Sequence, residues 1–97
     1  MYLGILKIKI NLPANHTLKG KRTILQSLFA RIRSKTNNIA LSEIDSHDLW
    51  QISGIGIVCI SNDPKQAEKL LAKTLDFIRE WQADYILLDH HLEIITV

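Results

Sequence analysis

One cysteine, Cys59, is all the chain contains, which excludes an internal disulfide and any metal site built from cysteine pairs. The 97 residues hold no glycine-rich phosphate loop, no nucleophile beside a base, and no set of metal ligands at workable spacing. Enzyme classes that announce themselves by motif are therefore set aside, and neither a cofactor nor a metal is expected. No apolar run approaches the roughly 20 residues of a membrane-spanning helix. The first segment alternates apolar residues with Lys7 and Lys9, unlike the continuous apolar core of a signal peptide. A cytoplasmic protein without a membrane partner is the expectation. Neither sign of charge dominates: 12 Lys and Arg against 10 Asp and Glu leave a net charge of +2, so nucleic-acid binding can be argued only from where the charges sit.

What is present is an ordered series of periodic segments. The 46% hydrophobic and 23% charged fractions belong to an ordinary globular chain. No repeat or linker divides it, so residues 1–97 form a single domain. In residues 2–11, Leu6, Ile8 and Ile10 alternate with Lys7, Lys9 and Asn11, the period-two pattern of a strand with one buried face. Thr17 is an N-cap for a helix over residues 18–35, whose Leu18, Leu25, Leu28, Phe29 and Ile32 form one apolar stripe. Residues 39–44 and 52–60 read as two strands, the second apolar on both parities and hence central. Asp63-Pro64 starts a second helix with its stripe at Ala67, Leu70, Leu71, Thr74, Leu75, Ile78 and Trp81. Residues 85–97 form the last strand, with Leu88, Leu92 and Ile94 as its inward set. The order βαββαβ, with two right-handed crossovers, predicts an α+β, ferredoxin-like sandwich: a four-stranded antiparallel sheet ordered 4-1-3-2 with both helices on one face. Leu25, Leu28, Phe29, Ile32, Leu71, Leu75 and Ile78 are expected in its core, and Cys59 is expected to be a small buried hydrophobe.

Several clusters bear on chemistry. Leu18-Lys19-Gly20-Lys21-Arg22 places basic side chains at a helix start, where the dipole disfavours each by about 0.3–1 kcal/mol. A bound phosphate offsets that cost; solvent and salt around splayed side chains tolerate it. Arg31, Arg33 and Lys35 sit near the helix end, where they suit the dipole. Lys7 and Lys9 lie on the uncovered sheet face, where an open basic strand can track a phosphate backbone, but ion pairs across the strands with Asp89 and Glu93 are the stronger expectation. Asp45-Ser46-His47-Asp48-Leu49-Trp50-Gln51 gathers an imidazole, carboxylates and an indole, but one histidine without a second spaced ligand makes a weak site. A polar hairpin loop with a structural Trp is expected there. His90 and His91 are adjacent in a strand, so their rings point to opposite faces and cannot hold one ion together. His16 carries no signal.

Gly4-Ile5-Leu6, the Thr17 to Arg22 helix start, Glu43-Ile44 through Asp48-Leu49-Trp50-Gln51, and Ser61-Asn62-Asp63 stand in the order seen in the YlxP-like family of small bacterial proteins, which the whole chain resembles. The resemblance implies a ferredoxin-like domain of unknown function, and the family's gene neighbourhood among translation genes implies an RNA- or ribosome-associated role. Where that family has an acidic residue three positions after the cap, this chain has Gly20, so the reciprocal capping box is lost.

Two functions compete, ahead of a third, an enzyme acting at His47 and Asp48, which the absence of acylphosphatase-type glycine and arginine signatures places behind them. The first is an RNA- or ribosome-binding module with Lys19, Lys21 and Arg22 on phosphates and Arg33 and Lys35 as outer contacts. The third strand lacks the aromatic residues on which an RNA-recognition-motif sheet stacks bases. The second is a homodimer or other protein-interaction module that uses the uncovered sheet face, with Ile52, Val58, Leu87 and Ile95 as its apolar patch.

Overall fold

The computed structural model describes residues 1–81 and 84–97. Strand β1 (Tyr2–Asn11) is followed by helix α1 (Leu18–Lys35), strands β2 (Ala40–Asp45) and β3 (Ile52–Ser61), helix α2 (Pro64–Glu80) and strand β4 (Ile86–Thr96). The strands form one antiparallel sheet ordered β2-β3-β1-β4, the expected order read from the other edge. Strand β1 is central because its alternate residues Leu6, Ile8 and Ile10 are all buried, facing Ile57, Ile55 and Ser53 of β3.

The helices start where their caps dictate. Thr17 is extended, and its hydroxyl accepts the Gly20 N–H at 2.9 Å. The Asp63 carboxylate accepts the Lys65 N–H at 2.9 Å, with Pro64 opening α2. Both helices bury their stripes in the same core as the inward residues of β1 and β3: Leu25, Leu28 and Ile32 from α1, Leu71, Leu75 and Ile78 from α2. Each such aliphatic side chain contributes about 1.5–3 kcal/mol by leaving water. Phe29 is half-buried at the margin of this core, one position off the centre of the stripe that Leu28 marks. Tyr85 closes the end of the core, and its hydroxyl donates to the Ile78 carbonyl at 2.6 Å. Burial raises that hydroxyl to about 12, with Arg31 pulling weakly the other way. Cys59 is buried, which raises its thiol, and a hydrogen bond with the Gly4 backbone acts in the opposite direction.

The inward set of β4 departs from strict alternation. Leu92 and Ile94 face the core opposite Leu6 and Gly4, but the register shifts between Lys9 and Ile10, so that Lys9 faces Asp89 while Ile10 faces Leu87. The extra residue reverses the parity of what precedes it. Leu87 therefore turns inward against the core, and Leu88 is left exposed. Strand β2 carries a similar shift between Glu43 and Asp45. No helix among the described residues is long and apolar enough to cross a membrane.

Candidate functional site

The basic start of α1 divides into residues with opposite fates. Lys21 is 1% exposed. It follows Leu18 by three positions and precedes Leu25 and Leu28 by four and seven, which puts it on the apolar stripe rather than on the solvent side. Its Nζ lies 2.9 Å from Glu43 Oε2 and donates to the carbonyls of Ser46 at 2.8 Å, Ile52 at 3.2 Å and His47 at 3.3 Å. Ser53 Oγ donates to the same Glu43 oxygen at 2.7 Å. The dipole cost of a cation in the first helical turns is thus offset from within, by a carboxylate and three carbonyls. Lys21 is removed from the candidate phosphate ligands, since its ammonium has no face left for one. Its work is to hold the β2–β3 loop, including Ser46, whose backbone stands in the left-handed region at φ 62°.

A second set of bonds ties that loop to the helix start. Asn15 Nδ2 donates to the Thr17 carbonyl at 2.8 Å and to the Trp50 carbonyl at 2.6 Å. Gln51 Nε2 returns to the Asn15 carbonyl at 3.1 Å, and the Leu12 N–H reaches the Gln51 carbonyl at 2.8 Å. Gly20 now has a reason: a Cβ there would overlap Asn15 Oδ1. Glycine at this position leaves room for the Asn15 amide that bridges loop and helix. The expected structural role of Trp50 is not observed. Its backbone is pinned while its side chain is 53% exposed, beside Leu49 at 52%.

The remaining cations of α1 are exposed. The helix contains six of the chain's 12 Lys and Arg and none of its 10 Asp and Glu. Lys19, Arg22 and Arg33 are separated by three and eleven residues, close to one and three turns, and so share a stripe about 21 Å long on the side opposite the core. Arg31 and Lys35 fall on the flank toward α2. There the Arg31 guanidinium lies 4.3 Å from the Trp81 ring centre and the Lys35 ammonium 5.6 Å from that of Phe77. Arg33 reaches only back along its own helix, to 6.0 Å from Phe29.

On the uncovered sheet face the proposed apolar set separates. Val58 faces Ile5, and Ile95 faces Leu3, whose other neighbour is Ile60, so these residues adjoin at one end. Ile52 lies opposite Asn11 at the other end, and Leu87 is on the helix-covered face for the reason given above. Lys7 and Lys9 form no ion pair among the described residues. Lys9 faces Asp89, but the Asp89 carboxylate accepts the His90 N–H at 2.8 Å, and Glu93 pairs with His91 at 3.5 Å along its own strand. His47 points its ring at the Glu43 carbonyl, 3.3 Å away. Among the described residues no group of three His, Cys, Asp or Glu comes together to hold a metal ion.

The family described as "Protein of unknown function (DUF503)" matches residues 3–91. The uncharacterized protein YlxP of Bacillus subtilis (strain 168) is 39% identical over 62 residues, covering 64% of this chain and 66%, just under two thirds, of that relative's length. With its match running from the first strand into the last, the chain belongs to the DUF503 family of proteins of unknown function.

Proposed function

We propose that this protein is a cytoplasmic RNA-binding module, built on a ferredoxin-like sandwich and without catalytic activity, that follows a phosphate backbone along the outer stripe of α1. The observation that carries the reading is the segregation of charge. A chain with a net charge of +2 places six cations and no acid on one helix, and only Lys21 is neutralised from within. The Lys19, Arg22 and Arg33 stripe, about 21 Å long, matches about six nucleotides of a stacked strand at 3.4 Å each. Replacing these three residues with Gln is expected to leave the melting temperature unchanged, since each is exposed. The log-log salt slope of single-stranded RNA binding should shrink by roughly 0.7 for each phosphate that the variant no longer neutralises. An unchanged slope, or no binding by the unmodified protein at low salt, rejects the reading.

A second reading, self-association, is favoured by the patch that Leu3, Ile5, Val58, Ile60 and Ile95 make on the open sheet face, with Ile60 51% exposed. Lys7 and Lys9 stand beside it with Asp89 and Glu93 on the next strand, so a two-fold copy offers each cation an acid. Sedimentation is expected to report a dimer at tens of micromolar that Ile60→Lys converts to monomer; a monomer before substitution rules it out.

A further inference from the structure

Leu49 and Trp50 are large apolar side chains left 52% and 53% exposed, and neither belongs to the core. A floppy loop would let such residues fold back. This one is held at its backbone from several directions: Lys21 takes the Ser46, His47 and Ile52 carbonyls, Asn15 takes that of Trp50, and the Leu12 N–H takes that of Gln51. The indole is thereby displayed on a stiff support, and little ordering entropy remains to be lost when something packs on it.

The surroundings narrow what that something is. Asn15 bridges the carbonyls of Thr17 and Trp50 and packs against Gly20, which sets the loop at the N-terminal end of α1, the end that carries Lys19 and Arg22. Beside Trp50 lies a shallow, open hollow lined by Asp48, Leu49, Trp50, Gln51 and Ile52. Asp48 in its wall repels a phosphate, so the anionic backbone belongs on the helix and a neutral, flat group belongs in the hollow. An aromatic face at the end of a cationic track is a combination that unpaired nucleotides use.

We infer that Trp50 is a stacking platform for one unpaired RNA base, set at the N-terminal end of the phosphate track of α1. This rests on the RNA reading above and adds its substrate class, single-stranded rather than duplex RNA.

The test uses the full chain with Trp81→Phe, which leaves Trp50 as the sole indole, and an unstructured oligouridine of about ten nucleotides. Should Trp81→Phe unfold the chain, the signal of Trp50→Phe subtracted from that of the unmodified protein gives the same quantity. Oligouridine is expected to quench Trp50 fluorescence, whereas a duplex of equal length binds with a salt slope but without quenching. Trp50→Ala is expected to weaken single-strand binding about 5- to 150-fold with an unchanged salt slope, while Trp50→Phe retains most of the affinity. Wild-type affinity in Trp50→Ala, or equal quenching by duplex, overturns the platform and leaves phosphate binding by α1 standing. Absence of any RNA binding at low salt overturns both. If Trp50→Ala instead dissolves a dimer in sedimentation while RNA binding is unaffected, the indole is a protein contact and the platform is likewise overturned.

Discussion

Lys21→Met is expected to destabilise the domain by about 3–5 kcal/mol, the cost of breaking a buried ion pair by removing one partner. The substitution strands the Glu43 carboxylate with only Ser53 as donor and strips the Ser46, His47 and Ile52 carbonyls of theirs. Against a total stability of about 5–15 kcal/mol for a domain of this size, that is a large fraction. Denaturant titration measures it. Lys21→Met/Glu43→Leu should recover part of the loss, because the orphaned charge is gone, but not all of it, because the loop carbonyls remain without a donor. Amide exchange would place the residual defect at residues 46–51. A loss below about 1 kcal/mol in Lys21→Met would mean the pair is no better than a surface contact, and Lys21 would return to the candidate RNA ligands.

Leu28→Ala is the other large effect, expected at about 2–5 kcal/mol through reduced burial and the cavity left behind. Leu28 is fully buried at the centre of the α1 stripe. At about 4–8 °C per kcal/mol for a small domain, the melting temperature should fall by about 10 °C or more. Phe29→Ala should cost less, since that ring is only partly buried, at the margin of the core. The reverse ranking would show that α1 is rotated on the sheet relative to the arrangement described.

Element order and nearly all of the core follow from periodicity, because a buried stripe at helical spacing or a buried parity in a strand leaves few ways to satisfy both, and strand order follows once the crossovers are right-handed. The failures are local and have identifiable causes. Leu87 and Leu88 exchange faces because of one extra residue in β4, and nothing in Ile86-Leu87-Leu88-Asp89 signals a bulge by residue type. Lys21 is different: its spacing from Leu25, Leu28 and Ile32 already put it on the buried side, and its charge masked its phase. The acid that accepts it, Glu43, lies on another element, so only the tertiary arrangement reveals the pair. Trp50 fails for the opposite reason: a tryptophan in a short loop between two strands reads as structural by residue type, yet its side chain is left 53% exposed. The stripe of Lys19, Arg22 and Arg33 separated from Lys35 only once the aromatic partners on α2 were in place.

The position of β1 has a consequence for synthesis. It precedes the other strands of the sheet in the chain and is an inner strand, flanked by β3 and β4, the third and fourth in chain order. At roughly 5–20 residues per second, a ribosome exposes β1 for seconds before either neighbour exists. Helix α1 can form locally in that interval, but its apolar stripe has no sheet to settle on until β3 emerges. The charged residues that alternate along β1, Lys7 and Lys9, are then what keep the waiting strand from pairing with another nascent chain.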